Sequence, residues 1–151
     1  MRQKSVILFL FSLVLLMVSC RTGDKPDYVP FGSGEIRIGA LIPITGSDQA
    51  SGVCIRTSLE FARQDVIAYL ASVGKRATVV LDIADTKSDT AETLRKIIGL
   101  YSRGIRFVIG PYRDAEVAAI EKFADTHGMV IVSPSSGAAS LAVRGDNIFR
   151  Y

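Results

Sequence analysis

Hydroxyl groups and glycines are concentrated at three places in this sequence where a predicted strand ends. Side-chain hydroxyls both donate and accept hydrogen bonds, and glycines let a backbone N–H approach a ligand closely. These groups suit the binding of a small polar molecule better than its chemical conversion. The candidate ligand contacts are Thr45, Gly46, Ser47, Tyr112, Asp114, Ser133, Ser135, Ser136 and Gly137. Taken alone, the segment 133–137 is explained equally well as a serine-rich connection without a ligand.

The residue sets that catalysis requires are missing from the sequence. The one histidine, His127, precedes Gly128 at a predicted helix end, where a cation suits the helix dipole. There is no G-x-S-x-G elbow, and one histidine with two distant cysteines does not make a metal site. The loop GSDQASG lacks the G-K-[ST] of a phosphate loop. We therefore predict no enzymatic activity, no metal and no cofactor.

Three aspartates, Asp82, Asp85 and Asp89, lie close together in the sequence. An acid/base role is one interpretation of such a group. The residues around them favour another, in which Asp85 and Asp89 cap turns while Asp82 lies within a strand.

The first twenty residues, MRQKSVILFLFSLVLLMVSC, have the features of a secretory signal. Arg2 and Lys4 precede an uncharged apolar run of 13 residues, and Ser19-Cys20 follows. A membrane span needs about 20 residues, so an uncleaved anchor is the weaker alternative. The end of the segment resembles the bacterial lipobox, in which the cysteine becomes the lipidated first residue; an ordinary signal peptide holding a cysteine is the other alternative. We expect a lipoprotein signal at 1–19, and lipidated Cys20 with a proline- and glycine-rich tether at 20–34.

The charge and cysteine counts limit which molecules the protein is expected to bind and whether it forms a disulfide. Eighteen basic residues face 15 acidic ones, and removing Arg2 and Lys4 leaves 16 against 15. Without a Lys/Arg cluster, we predict no nucleic-acid binding. If Cys20 is acylated, Cys54 has no partner for a disulfide, and its apolar neighbours predict a small core residue.

After residue 34, predicted strands and helices alternate. The apolar strands are continuous runs, and the helices repeat apolar residues every three or four positions. Predicted strands cover 35–44, 77–85, 105–110 and 129–133, with a fifth beginning at 147; predicted helices cover 49–70, 89–104 and 114–127. In the first helix, the expected buried face is Ile55, Leu59, Ala62, Val66 and Leu70, and in the second it is Leu94, Ile97, Ile98 and Tyr101.

This alternation predicts an α/β fold of three layers, a parallel sheet with helices on both faces. In such a sheet, ligands bind in the crevice outside the carboxyl ends of the strands. The candidate contacts all follow strands and so fall at that edge. The sequence stops inside an apparent strand. One interpretation makes Tyr151 the end of a small domain; the other, which we expect, makes these residues the front part of a longer protein.

Three blocks of the sequence together resemble a family. They are IRIGALIPITGSDQASGVCIRTSLEFA, DTKSDTAETLRKIIGLYSRGIRFVIGPY and GMVIVSPSSGAASLAVRGDNIFR. They are similar to type I periplasmic binding proteins, of the leucine/isoleucine/valine-binding group that serves branched-chain amino-acid ABC transporters. The resemblance implies a Rossmann-like lobe and a ligand held between two closing lobes. Residues 35–151 would be a partial N-terminal lobe.

The resemblance also implies roles for single residues. A hydroxyl that receives the ligand carboxylate in the family corresponds to Asp114 here. The backbone group and hydroxyl of the next loop correspond to Ser135 and Gly137, and the loop from Thr45 to Ser51 borders the cleft. Because Asp114 and Gly137 lack the expected hydroxyls, we expect a neutral or cationic ligand instead of a branched-chain amino acid.

The resulting hypothesis is a non-enzymatic, lipid-anchored receptor on the extracytoplasmic side of a membrane, which delivers a small polar or amino-acid-like molecule to an ABC permease. One alternative keeps the fold and makes the protein a cell-envelope regulator of another protein. A further alternative is a flavodoxin-like domain holding FMN at TGSDQAS, which the signal peptide and the few hydroxyls of that loop disfavour.

Overall fold

The computed structural model of this 151-residue chain describes residues 33–150. The predicted signal peptide, Cys20 and most of the tether lie outside the described residues. Five strands and three α-helices alternate in this part of the chain. In order they are β1 (Ser33–Ile42), α1 (Gln49–Ser72), β2 (Arg76–Asp85), α2 (Thr90–Ser102), β3 (Phe107–Ile109), α3 (Asp114–Thr126), β4 (Val130–Ser133) and β5 (Ile148–Arg150), with a short 3-10 helix at Ala139–Leu141.

The strands form one parallel sheet in the order β2-β1-β3-β4-β5. The pairing of β1 with β2 is the longest and runs from Ser33 opposite Arg76 to Ile42 opposite Asp85. Continuous runs of branched apolar residues build these strands, because a parallel sheet places both of its faces in the protein interior. The predicted fold class, a parallel sheet with helices on both faces, is confirmed.

The helices divide between the two faces because crossover connections are right-handed. The chain moves one way from β1 to β2 and the opposite way from β2 to β3, so α1 lies on one face and α2 on the other. The face that carries α2 and α3 holds the hydrophobic core. Its strands contribute Leu41, Ala84, Val108, Ile131 and Ile148, and its helices contribute Ile97, Leu100, Val117, Ile120 and Ala124.

Polar and aromatic contacts join α2 to α3 at both ends. The Thr93 hydroxyl donates to Glu116 Oε1 at 2.9 Å, and both residues are buried. At the other end the His127 ring stacks on Phe123 with 4.1 Å between centroids and contacts Tyr101 edge-on. His127 is therefore a packing residue, as its position at the helix end predicts. Ile98 of α2, expected in the core, is 45% exposed.

The face that carries α1 is covered only in part by residues 33–150. Helix α1 packs on β2 and β1, and Gly52 is its one buried residue. Ala62 and Val66 were expected to face inward, but both are exposed, and so is Cys54. The prediction of a core role for Cys54 is therefore wrong. These positions are exposed because, among the described residues, α1 is the one α-helix on this face of the sheet, whereas α2 and α3 pack side by side on the other face.

Candidate functional site

The carboxyl ends of the strands bring the predicted loops together along one edge of the sheet. Strand β1 leads away to β2 on one side, while β3 lies on its other side. The order of the chain therefore reverses between β1 and β3, and such a switch point opens a crevice at the carboxyl edge of a doubly wound sheet. Seven of the nine candidate contacts lie in the loops after β1, β3 and β4, while Ser133 is the last residue of β4 and Asp114 is the first residue of α3.

Asp85 fastens the loop after β1 to the end of β2. Its carboxylate accepts the Thr45 hydroxyl at 2.6 Å, the Thr45 N–H at 3.1 Å and the Lys87 N–H at 2.9 Å. Burial raises the pKa of Asp85, but these hydrogen bonds outweigh it, so the pKa lies below its usual value. The prediction that Asp85 caps a turn is confirmed. Thr45 lies in the loop as predicted, with its hydroxyl committed to Asp85.

Gly46 allows the same two loops to approach backbone to backbone. Its φ is +93°, and a Cβ at this position would lie 2.1 Å from the Lys87 carbonyl oxygen. Any larger residue would push the loops apart, since carbon and carbonyl oxygen cannot approach so closely. The Asp48 N–H donates to the Ser88 hydroxyl at 3.0 Å and continues the contact. Gly46 is thus a spacing residue between two loops.

Arg113 connects the loop after β3 to the loop after β1. Its guanidinium donates to the Ser47 hydroxyl at 3.0 Å and to Asp48 Oδ1 at 3.1 Å, with Nε 2.5 Å from Asp48 Oδ2. The hydrogen bond from Arg113 is the main reason that the pKa of Asp48 lies below its usual value. Both charges of this pair are engaged with each other. Neither residue was among the predicted contacts.

The loops after β3 and β4 are also joined to their neighbours. Ser51 donates to the Tyr112 hydroxyl at 3.3 Å, and Ser135 donates to the Tyr112 carbonyl at 2.7 Å. Ser133 is fully buried and donates to the Pro111 carbonyl at 2.8 Å. Tyr112 therefore contacts both the first turn of α1 and the loop after β4.

Asp114 closes the gap between the loop after β4 and the helix α3. It is exposed and is the first residue of α3, and its Oδ1 accepts the Ala138 N–H at 3.2 Å. Aspartate is a favoured N-cap residue, but Asp114 does not occupy the N-cap of α3. The residue at the N-cap is Arg113 instead, whose N–H donates to Glu116 Oε2 at 3.0 Å.

Ser136 and Gly137 differ sharply in accessibility. Ser136 is 1% exposed, and its hydroxyl has no hydrogen-bond partner among residues 33–150. Gly137 is exposed and has open space around its Cα. A ligand can touch Ser136 or Ser133 only if the loop shifts, whereas Ser47, Ser135 and Gly137 lie at the surface of the crevice.

The structure thus brings the predicted contacts together at one edge, but five of their hydroxyls already form hydrogen bonds within the protein, those of Thr45, Ser47, Tyr112, Ser133 and Ser135. Within residues 33–150, no group of three or more histidines, cysteines or carboxylates is arranged to hold a metal ion. No helix of this part of the chain is long and apolar enough to cross a membrane. The chemistry that these loops offer is hydrogen bonding to a polar molecule.

A family model and two related proteins match most of this chain. A family model described as "Periplasmic binding protein" matches residues 35–151. An uncharacterised protein of Methanocaldococcus jannaschii is 29% identical over 126 residues, which are 82% of this chain and 30% of that protein. A Leu/Ile/Val-binding protein of Rhizobium johnstonii is 26% identical over 124 residues, 82% of this chain and 33% of that protein.

A solved structure gives the same fold. The branched-chain amino-acid transporter substrate-binding protein LivJ of Streptococcus pneumoniae, crystallised with isoleucine, superposes with a TM-score of 0.60 at 27% identity. The match covers 77% of this chain and 33% of that one. The chain therefore spans about a third of the length of the relatives that it matches.

Proposed function

Because this chain belongs to the periplasmic binding protein family, we propose that it supplies part of the N-terminal lobe of a solute-binding receptor for an ABC transporter. The observation that carries the proposal is the edge where the loops after β1, β3 and β4 meet. These loops present hydroxyls, exposed backbone and one free carboxylate oxygen, with no reactive pair among them. Such an edge binds a small polar molecule and leaves it unchanged.

The rest of the receptor would supply the other wall of the crevice. The matched residues make up only about a third of the length of each relative. Periplasmic binding proteins close two domains around their ligands. The uncovered sheet face supports the same proposal. Phe107 is 60% exposed and Phe149 is 61% exposed, although a parallel sheet ordinarily covers both faces. Further helices of the same lobe would cover these two rings.

The ligand class proposed is a small polar or amino-acid-like molecule. The Rhizobium relative is a Leu/Ile/Val-binding protein and LivJ was crystallised with isoleucine, so amino acids are the first compounds to test. LivJ is the substrate-binding protein of a transporter, which supports the proposal that this receptor delivers its ligand to an ABC permease. We propose an extracytoplasmic location, since the family is periplasmic and residues 1–19 have the features of an export signal.

The binding proposal is tested by thermal-shift measurements on the protein made from the complete reading frame that contains these residues. The panel contains the twenty amino acids, their amides, short polyols and short amines. A compound that raises the melting temperature at micromolar concentration, with one bound molecule per receptor by calorimetry, supports the proposal. The proposal is contradicted if no compound stabilises the receptor and no transporter component binds it.

The lipid anchor is a separate proposal and rests on the position of Cys20 directly after the apolar run. Cys20→Ser should release the protein from membranes or leave its signal uncut, because acylation at the cysteine precedes cleavage in bacterial lipoproteins. Membrane fractionation and the mature mass measure the outcome. Cys54→Ser is the matched control, since that thiol is exposed and lies within α1. Membrane binding and mass unchanged in Cys20→Ser would contradict the proposal.

A further inference from the structure

We infer that Asp114 contacts the bound molecule and that this molecule presents a cationic group, an ammonium or a guanidinium, to its carboxylate. The inference rests on the proposed receptor function and adds the charge of the ligand to it. It starts from one juxtaposition: an exposed carboxylate at the start of α3, bonded to the loop after β4, at the edge where the predicted contacts meet.

The carboxylate of Asp114 has one oxygen engaged and one available. Oδ1 accepts the Ala138 N–H at 3.2 Å, which fixes the direction of the group. For Oδ2, the structure gives no hydrogen bond within residues 33–150, and it gives the carboxylate no ion pair there. An anchored carboxylate with a free oxygen is a ready acceptor for an N–H donor, and charge-assisted bonds of this kind are the stronger ones.

The neighbouring charges do not neutralise Asp114. The nearest basic residue in the chain, Arg113, is held by Asp48 and the Ser47 hydroxyl. Lys87 is exposed but follows β2, which lies two strand positions from β3. Strands are spaced by about 4.8 Å, so roughly 10 Å separates the ends of β2 and β3. On the far side of β4, Arg150 ends β5 opposite Ser133, and its guanidinium lies 3.8 Å from the carboxylate of Asp146. The carboxylate of Asp114 has no such ion pair within residues 33–150.

The surroundings of Asp114 are also unfavourable to an anion. The Ala138 N–H is already bonded to Asp114, and the first turn of α3, which would favour an anion, carries the carboxylates of Asp114 and Glu116. An anionic group placed here would meet like charge at short range. A cationic group would meet an acceptor.

An independent feature of the same loop indicates that a polar group approaches it. Ser136 lies between Ser135, bonded to the Tyr112 carbonyl, and Ala138, bonded to Asp114. Its hydroxyl is buried and has no partner among the described residues. Native proteins rarely leave a buried hydroxyl unpaired. A polar ligand atom next to Asp114 would give this hydroxyl a partner after a small shift of the loop.

The test compares ligands of similar size and apolar chain that carry different charged groups. L-leucinamide carries the ammonium alone, 4-methylpentanoate carries the carboxylate alone, and L-leucine carries both; butylamine and butyrate form a shorter pair. Calorimetry measures their dissociation constants with the receptor made from the complete reading frame. We expect the amine of each pair to bind about 10-fold more tightly than the carboxylate, the difference that one charge-assisted contact makes.

Asp114→Asn removes the charge and keeps an oxygen that can accept the Ala138 N–H. It should weaken the binding of each amine about 10-fold and leave the carboxylates unchanged or slightly tighter. Asp125→Asn is the matched control, because Asp125 lies on the same helix and its Oδ1 accepts the Asn147 N–H at 2.9 Å, near the opposite end. That variant should bind every compound as the unaltered protein does.

The outcomes separate the inference from the proposed function. Binding of carboxylates as tight as that of the amines, or amine binding unchanged in Asp114→Asn, overturns the inference and leaves the receptor function standing. If the broader panel identifies a different ligand, its dissociation constant is measured with Asp114→Asn and with Asp125→Asn. Equal affinity of the two variants for that ligand overturns the inference. Absence of binding by every compound in both panels overturns the receptor function and the inference together.

Discussion

Gly52 lies where the first turn of α1 touches the end of β1, and we expect Gly52→Ala to destabilise this junction. A Cβ at Gly52 would lie 1.9 Å from the Pro43 carbonyl oxygen and 2.6 Å from its carbon. Separations below 3.0 Å are essentially unknown for real Cβ atoms, so helix and strand would have to part by about 1 Å. The Gly52 N–H also donates to the Asp48 carbonyl at 3.0 Å, so the displacement reaches the Arg113–Asp48 contact.

Two opposing terms set the size of the effect. Alanine is more favourable than glycine inside a helix by about 1 kcal/mol. Overpacking typically costs about 1–3 kcal/mol, and the upper end applies here because the obstacle is backbone, which cannot rotate away. The free energy of unfolding should therefore fall by about 2 kcal/mol. For a domain of roughly 150–250 residues, this corresponds to a melting temperature lower by about 4–8 °C.

Gly99→Ala is the matched control. Gly99 lies within α2, and the nearest atom to its Cβ would be the end of the flexible Arg103 side chain, 3.5 Å away. At Gly99 alanine brings its higher helix propensity without any overpacking, so the melting temperature should rise by about 2–4 °C. Both variants are measured by circular dichroism on the receptor from the complete reading frame. Gly52→Ala melting at or above the unaltered protein would refute the reasoning.

Three further predictions concern the loops and the sheet face. The carboxylate of Asp85 has a lowered pKa, so the stability it contributes is complete above its unfolded pKa of about 3.9 and is lost as the pH falls through the lower folded value. Asp85→Asn should reduce the fall in melting temperature as the pH drops below about 4, and an unchanged acid dependence would contradict this. Arg113→Ala should raise the pKa of Asp48, measured by NMR titration of its carboxyl carbon, and an unshifted titration would show that the ion pair is absent in solution. Residues 33–151 expressed alone should aggregate through the exposed rings of Phe107 and Phe149, and replacing both by serine should increase the monomer fraction in gel filtration; equal aggregation would mean that another surface is responsible.

The alternation of strands and helices could be predicted because it depends on local patterns. Continuous apolar runs such as the one ending at Ile42 mark buried strands, and Asp89 marks the start of α2, where its side chain accepts the Glu92 N–H at 2.7 Å. The edge that holds the predicted contacts followed from the same patterns, since parallel strands place their carboxyl ends together.

The exposure of α1 could not be predicted in this way. Apolar periodicity tells which side of a helix prefers burial, but it does not tell how much protein is available to cover that side. Ala62 and Val66 satisfy the period and are still exposed, because α1 packs on β1 and β2 alone within residues 33–150. Cys54 was misplaced for the same reason.

By itself, the sequence determined the element types, the parallel sheet and the set of loops that meet at its carboxyl edge, because those depend on neighbours along the chain. The tertiary structure decided what each polar group at that edge does. The bonds of Asp85 to Thr45, of Arg113 to Asp48 and of Asp114 to Ala138 join residues 24 to 65 positions apart. Partners at such separations depend on strand order and loop path, which no local pattern contains. The tertiary structure was therefore needed to tell which polar groups form hydrogen bonds within the protein and to show that one carboxylate oxygen of Asp114 is available at its surface.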